Sequence, residues 1–117
     1  MTGSEQIPHA KRAALIRDQN DAFRKQGRGG QLMLTSGIMA KSDEDLAGLL
    51  QAIADFDAFD PDNDPHGEHD FGSLTWQGEP VFWKIDYYDS DLLYGSPDPA
   101  NPDVTTRVLT VMMAWEY

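Results

Sequence analysis

The stretch FGSLTWQGEPVFWKIDYY, residues 71–88, decides the fold class that this sequence predicts. Two segments rich in aromatic and branched residues, Phe71–Trp76 and Pro80–Tyr88, flank the short polar connection Gln77-Gly78-Glu79, an arrangement typical of an antiparallel hairpin. Aromatic side chains fall on both faces of the second strand, because successive residues point to opposite sides. We therefore expect both faces of the hairpin to be covered by other elements.

Two helices and a short strand are predicted before the hairpin. Apolar residues recur at helical spacing over His9–Gln26, and Gly27 is placed to end that helix as a C-cap. Alternating apolar residues in Gln31–Thr35 indicate a short strand. Ser42 is predicted to cap a second helix, with Asp45 completing an approximate capping box. The buried stripe of that helix consists of Leu46, Leu49, Leu50, Ile53 and Phe56.

The last segment is ambiguous. Residues 104–111 are rich in β-branched side chains, which favour strands, yet apolar residues of the same segment also recur at helical spacing. We choose a helix over residues 104–116 with Asn101 as its N-cap, because Pro102 suits the first helical position and Asp103 the positive end of the helix dipole. The predicted fold class is α+β, a small antiparallel sheet around the hairpin with about three packed helices. Residues 1–117 are expected to form a single domain, with residues 1–8 as a flexible tail.

Length and composition place the chain among globular proteins. Its 117 residues, 40% of them hydrophobic, suffice for one core without disulfides or metals. It contains no cysteine, which excludes disulfides and thiolate metal sites. No apolar run reaches the roughly 20 residues that span a bilayer, and the N-terminus lacks the apolar segment of a signal peptide. We therefore expect a soluble, cytoplasmic protein that has no membrane partner.

Charge is distributed unevenly along the chain. Residues 42–103 contain sixteen of the twenty carboxylates and one basic residue, a local charge of −15, whereas residues 1–41 carry +4. A net charge of −11 disfavours direct contact with nucleic acid and favours a basic protein partner. Tyrosines among these acids suit the binding of Arg-rich surfaces. The predicted partner-binding residues are Asp60, Asp62, Asp64, Glu68, Asp86, Tyr88, Asp89, Asp91 and Tyr94.

A divalent metal site is an alternative use of the same region, although the leading expectation is that no cofactor is bound. Imidazole and carboxylate groups are suitable ligands for transition metals. The spacing differs from that of zinc proteases, whose two histidines lie four apart on a helix, because Pro65 and Gly67 oppose a helix here. The candidate ligands, which would be the centre of a metal-dependent hydrolase, are His66, His69, Asp64 and Asp70.

A calcium loop is a second metal hypothesis for this segment. Three alternating aspartates, Asp60, Asp62 and Asp64, match the first three ligand positions of an EF-hand. Pro65 then stands where the loop needs glycine, and Phe71 stands where it needs a bidentate glutamate. The sequence therefore excludes an EF-hand and leaves an irregular calcium site as an alternative.

A basic strip on the first helix supports a third hypothesis, a DNA-binding regulator. Arg17, Arg24, Lys25 and Arg28 recur along the predicted helix and its end, and such a strip can contact phosphates even on an acidic protein. The competing interpretation is a solvated helix face that pairs with the acidic loops of the same chain.

Several long motifs identify a family resemblance. They are NDAFR (residues 20–24), GRGG (27–30), FDAFDPDNDPHGEHDFG (56–72), FWKIDYYD (82–89), YGSPDP (94–99) and TRVLT (106–110). From about Ile16 to Tyr117 the chain resembles the bacterial family called domain of unknown function 3768. The resemblance implies a small, single-domain, cytoplasmic protein of chromosomes and plasmids, and it implies no particular activity.

The leading functional hypothesis is therefore noncatalytic. We expect an acidic interaction protein that binds a basic protein surface. One specific version is a nucleic-acid mimic that inhibits a DNA- or RNA-handling machine, in the manner of anti-restriction or anti-CRISPR proteins. The acidic segment and the occurrence of the resembled family on mobile elements motivate that version. The sequence does not determine the oligomeric state.

Overall fold

A computed structural model describes residues 8–117, and the predicted tail falls outside these residues except for Pro8. Within the described part, no helix combines the length and the apolar character needed to cross a membrane. In chain order the elements are α1 (His9–Gln26), β1 (Gly30–Leu34), α2 (Ser36–Met39), α3 (Asp43–Ala54), β2 (Phe71–Trp76), β3 (Glu79–Tyr88) and β4 (Thr106–Met113), with 3-10 turns at Pro102–Val104 and Ala114–Glu116.

The four strands form one sheet in the order β1-β4-β3-β2. β2 and β3 form the predicted antiparallel hairpin, and β3 also pairs antiparallel with β4. β1 joins β4 in parallel, so the sheet is mixed. Gln77 and Gly78 both have positive φ, 52° and 81°, which matches the tight hairpin turn that follows the twist of its strands. The predicted α+β class is confirmed.

The hydrophobic core lies between the helices and one face of the sheet. Phe23 from α1, Leu49 and Ile53 from α3 pack against alternate residues of β3, of which Trp83 is fully buried. Burial of these side chains is the main favourable term in the stability of the domain. Gly72 on β2 lies opposite Trp83, and its lack of a side chain leaves room for the indole ring.

The other face of the sheet is only partly covered. It carries an ion pair between Lys84 and Asp86, whose side-chain atoms are 2.8 Å apart. Beside it, the Tyr117 ring packs edge to face with Phe71 and Phe82, and the rings of Phe82 and Tyr117 are centred 5.5 Å apart. The expectation that both faces of the hairpin are covered therefore holds for the helix side, whereas the second face is shielded in part by its own aromatic side chains.

The local signals of the first half of the chain are confirmed. α1 has the predicted bounds, and Gly27 ends it in the left-handed conformation with φ of 69°. The Ser42 side chain caps α3 by accepting a hydrogen bond from the N–H of Asp45. The capping box is half formed, because the Asp45 carboxylate accepts from the Gln77 side chain instead.

The predicted C-terminal helix is wrong. Asn101 does cap a turn by accepting from the N–H of Asp103, but that turn ends at Val104. Thr106–Met113 is instead β4, hydrogen-bonded between β1 and β3. The β-branched propensity of the segment agrees with a strand, and its buried residues lie on both faces, as expected for a central strand. The helical spacing of its apolar residues was coincidental.

Gly72→Ala should destabilise the fold, because the added Cβ would overlap the buried indole of Trp83. We expect a loss of about 1–3 kcal/mol in the free energy of unfolding, as for other overpacked cores, measured by urea denaturation. Ser73→Ala on the exposed position of the same strand serves as the control and should stay within about 0.5 kcal/mol. Equal midpoints for the two variants would contradict this packing.

Candidate functional site

Two acidic loops, residues 57–70 and 89–105, lie at the same end of the sheet. The first leads into β2 and the second connects the end of β3 to the start of β4, where Tyr88 pairs with Thr106. Together the two loops contain ten carboxylates and no lysine or arginine. Negative charge is therefore concentrated at this end of the molecule.

Arg24 anchors the start of the first loop and is not available on the surface. Its side chain is 1% exposed, and it donates to the carbonyl oxygens of Ile53, Ala54 and Phe56 at 2.6, 3.0 and 3.0 Å. These carbonyls lie at the C-terminal end of α3, where helical partners are lacking. The prediction of Arg24 as part of a phosphate-binding strip is therefore wrong for this residue.

The remaining members of the predicted basic strip are more accessible. Lys25 and Arg28 are exposed, and Arg17 is half-buried, with its Nε 3.9 Å from Asp18. Because Arg24 is buried, these three side chains do not form the continuous basic strip that the sequence suggested. No observation on the described residues favours α1 as a DNA-reading helix.

His69 holds the first loop against α1. Its Nδ1 lies 2.9 Å from Asp21 Oδ1, and its Nε2 lies 3.6 Å from Asp64 Oδ2. The ring stacks on Phe59 with centroids 3.7 Å apart. Both ring nitrogens thus face carboxylates. The histidine connects the helix to the loop.

Three of the four predicted metal ligands lie near one another, but they are not arranged as a metal site. Among residues 8–117, no group of three or more His, Asp or Glu side chains is arranged to hold a metal ion. His66 is exposed, whereas His69 is engaged by Asp21 and Asp64. His66, His69 and Asp64 line one open cavity of about 410 Å³, but they do not form a group that could hold a metal ion. Asp70 does not line this cavity.

The aspartates of the calcium hypothesis serve the backbone of the loop instead. Asp60 Oδ1 accepts from the N–H groups of Asp62 and Asn63 at 2.8 and 2.9 Å. Asp64 Oδ1 accepts from the N–H groups of Glu68 and His69 at 3.2 and 3.1 Å. These are local Asx-type bonds, which rigidify turns. Of these three aspartates, Asp62 projects freely.

A buried polar network joins both loops to α1, and the sequence did not indicate it. Asn20 is fully buried and donates to the Glu68 carbonyl and the Tyr87 hydroxyl at 3.0 and 2.8 Å. Its side-chain oxygen accepts from Arg107 Nε at 2.7 Å, and Arg107 donates to Pro99 in the second loop. The one feature of the sequence that could have indicated this network is a basic residue, Arg107, within the apolar strand β4.

Burial shifts the pKa values of this network in the expected directions. Burial raises the pKa of the Tyr87 phenol well above its ordinary value, and lowers the pKa of Arg107. The Tyr87 hydroxyl donates to Glu68 Oε1 at 2.8 Å, which turns this predicted partner-binding carboxylate inward. Burial also raises the pKa of Asp70, with the charge of Glu68 as the next cause.

The second loop presents the other predicted contact residues. Asp91 and Tyr94 are exposed, with Tyr94 keeping 74% of its surface. Asp89 accepts from the N–H groups of Asp91 and Leu93, which shapes the turn. Asp86 pairs with Lys84 and, like Tyr88, lies on the partly covered sheet face. The structure therefore divides the predicted contact set into exposed, inward-facing and sheet-face residues.

The fold and this loop arrangement define a small α+β protein with two acidic loops at one end of its sheet. The family model described as Protein of unknown function (DUF3768) matches residues 34–116. The chain belongs to this family. Comparison with curated proteins and with solved structures found no match.

Arg24→Met should destabilise the protein strongly, because it leaves the carbonyls at the end of α3 and the Asp21 carboxylate without their cation. We expect a loss of about 3 kcal/mol in the free energy of unfolding, measured by chemical denaturation. The matched control is Lys25→Met on the exposed side of α1, which should change stability by about 0.5 kcal/mol or less. A similar small effect for both would refute the anchoring role.

Asp70→Asn should raise the denaturation midpoint at neutral pH. Burial raises the pKa of Asp70 in the folded state above its ordinary value of 3.8, so the charged carboxylate destabilises the fold at high pH. At pH values below 3.8 the carboxyl is mostly protonated in both the folded and the unfolded state, so the gain over the parent protein should vanish there. Urea midpoints measured across this range test the prediction. The exposed Asp62→Asn controls for the loss of one negative charge, and an equal gain from it would contradict the assignment.

Proposed function

We propose that the protein is a noncatalytic interaction protein of the cytoplasm that binds a basic surface of another protein through its two acidic loops. One observation carries the proposal. Of the ten loop carboxylates, Asp98 alone lies within ion-pair distance of a lysine or arginine among the described residues, 2.6 Å from Arg12. The other nine are therefore not neutralised by such a pair within residues 8–117, and the exposed ones among them, such as Asp57, Asp62 and Asp91, direct their field at solvent and any partner.

Preorganisation supports the same proposal. The first loop is tied to the body of the molecule at Arg24, at His69 and through Asn20. Its own aspartates cap its turns, as does Asp89 in the second loop. A loop that is ordered before binding loses less conformational entropy in the complex, which favours affinity.

A finer version of the proposal gives the partner a specific character. Carboxylates displayed at one end of a rigid scaffold, without intervening cations, resemble the charge of a nucleic acid strand. A protein groove that handles DNA or RNA offers the complementary lysines and arginines. We propose that the family member acts as a competitor for such a groove, and the support for this version is the charge pattern alone.

Neutralising exposed loop carboxylates should weaken binding to a cationic probe. Asp57, Asp62 and Asp91 are exposed, and their side chains make no hydrogen bond within the described residues, so their change to asparagine should leave the fold intact. We expect the triple variant to raise the dissociation constant for a synthetic arginine-rich peptide by about ten-fold at low salt, and by less at about 0.15 M salt. Fluorescence anisotropy with labelled peptide measures the dissociation constant at both salt concentrations.

The matched control removes the same charge elsewhere. Asp18→Asn, Asp43→Asn and Glu44→Gln neutralise three exposed carboxylates outside the loops. The proposal requires the control to bind the peptide nearly as tightly as the parent chain. Equal weakening by both triple variants would show that net charge alone acts, and failure of the parent chain to bind the peptide would refute the proposal.

A further inference from the structure

β1 is an edge strand that lacks the usual protection against pairing with another chain. Among residues 8–117 it pairs with β4 only, so its outer edge is open. Leu32 and Met33 keep 49% and 56% of their surface. The strand contains no charged residue and no proline, which are the common devices that keep edge strands apart. Such an edge is a template for a further strand.

The backbone groups at the open edge can be assigned from one hydrogen bond. The N–H of Thr35 donates to the Val111 carbonyl on β4 at 3.2 Å. Alternate residues of a strand direct their backbone groups to the same side, so the odd-numbered residues of β1 also face β4. The N–H and C=O groups of Gly30, Leu32 and Leu34 therefore point outward, ready to pair.

Cavities lie on both sides of this edge. On the helix side, a cavity of about 150 Å³ is lined by Gly30, Leu32 and Phe23 together with other core residues. On the opposite face, a cavity of about 410 Å³ is lined by Met33 and Leu92 among others. A strand added at the edge places successive side chains on opposite faces. Both faces thus offer space for them.

Charge at the two ends of β1 indicates that the added strand is β1 of a second copy. Antiparallel pairing about Leu32 brings the end of β1 that follows the exposed Arg28 next to the end of β1 that precedes α2 in the other copy. At that second end the Glu116 carboxylate is held by the Thr35 hydroxyl at 2.6 Å and the Gly37 N–H at 3.0 Å. The symmetric arrangement therefore brings a cation to an anion at each end of the paired strands.

We propose that the protein forms a symmetric dimer in which β1 pairs antiparallel with β1 of a second copy about Leu32. The two four-stranded sheets become one continuous sheet. A two-fold axis makes the contact self-complementary, so that Leu32 meets Leu32 and each Arg28 lies at the end of the paired strands where the other copy has Glu116. Because β1 carries no charged residue, two copies of a chain of net charge −11 can pair through it with little electrostatic repulsion at the contact. This inference does not depend on the acidic loops.

Solution mass tests the dimer directly. Sedimentation equilibrium of the full chain should give twice the chain mass of 13.1 kDa. Leu32→Lys places two like charges face to face at the axis and should give the monomer mass. Leu93→Lys makes the same change at a residue of the second loop with 72% exposure and should leave the dimer intact. Arg28→Glu should raise the dimer dissociation constant several-fold, whereas Lys11→Glu should not.

Disulfide trapping provides an independent measurement. The chain has no cysteine, so a single introduced thiol can link only to its equivalent. Directly opposed, hydrogen-bonded residues have Cα atoms about 5.5 Å apart, within disulfide range. Leu32→Cys should therefore cross-link readily under mild oxidation, and Leu93→Cys should not. A monomer mass for the parent chain at the highest attainable concentration, or equal cross-linking of the two variants, would overturn the proposal. Either result would mean that the open edge of β1 pairs with a different protein or with no protein.

Discussion

The guanidinium of Arg24 is the interaction on which the rest of the structure depends. α3 has no basic residue in its last turn, so its terminal carbonyl groups need donors from elsewhere. Arg24 supplies them from α1, while its guanidinium lies over the ring of Trp83 at 5.1 Å. One side chain therefore joins both long helices to the sheet and determines where the first acidic loop begins.

The hydrogen bonds of Arg24 help to explain why most carboxylates of the acidic loops have no basic partner among the described residues. Its partners are mainly carbonyl oxygens, and Arg107 likewise bonds an amide oxygen and a carbonyl oxygen. Two of the nine basic residues thus donate mainly to uncharged acceptors inside the molecule, although Arg24 also contacts the Asp21 carboxylate. Among the described residues of the N-terminal segment, Arg24 thus contributes to the scaffold, and Arg12 pairs with one loop carboxylate, Asp98.

The loops combine structural and surface duties residue by residue. Asp64 and Glu68 face inward, where they accept hydrogen bonds from the loop backbone and from Tyr87. Asp62 and Asp91 face outward, on turns that other aspartates stabilise. An acidic loop can therefore be both rigid and strongly charged. Some of its carboxylates accept hydrogen bonds that fix the loop conformation, and the others remain exposed on the fixed loop. This division makes the loops a scaffolded surface and distinguishes them from a disordered acidic tail.

By itself, the sequence determined the features whose causes are local: the bounds of α1, its glycine cap, the serine cap of α3, the hairpin and the uneven charge. Each depends on residues within one or two turns of one another. Tertiary structure alone decided that residues 106–113 form a central strand, that β1 joins it in parallel, and that Asn20, Arg24 and Arg107 are buried. Their partners lie up to 87 residues away in the chain, as between Arg107 and Asn20, and no local spacing encodes such contacts.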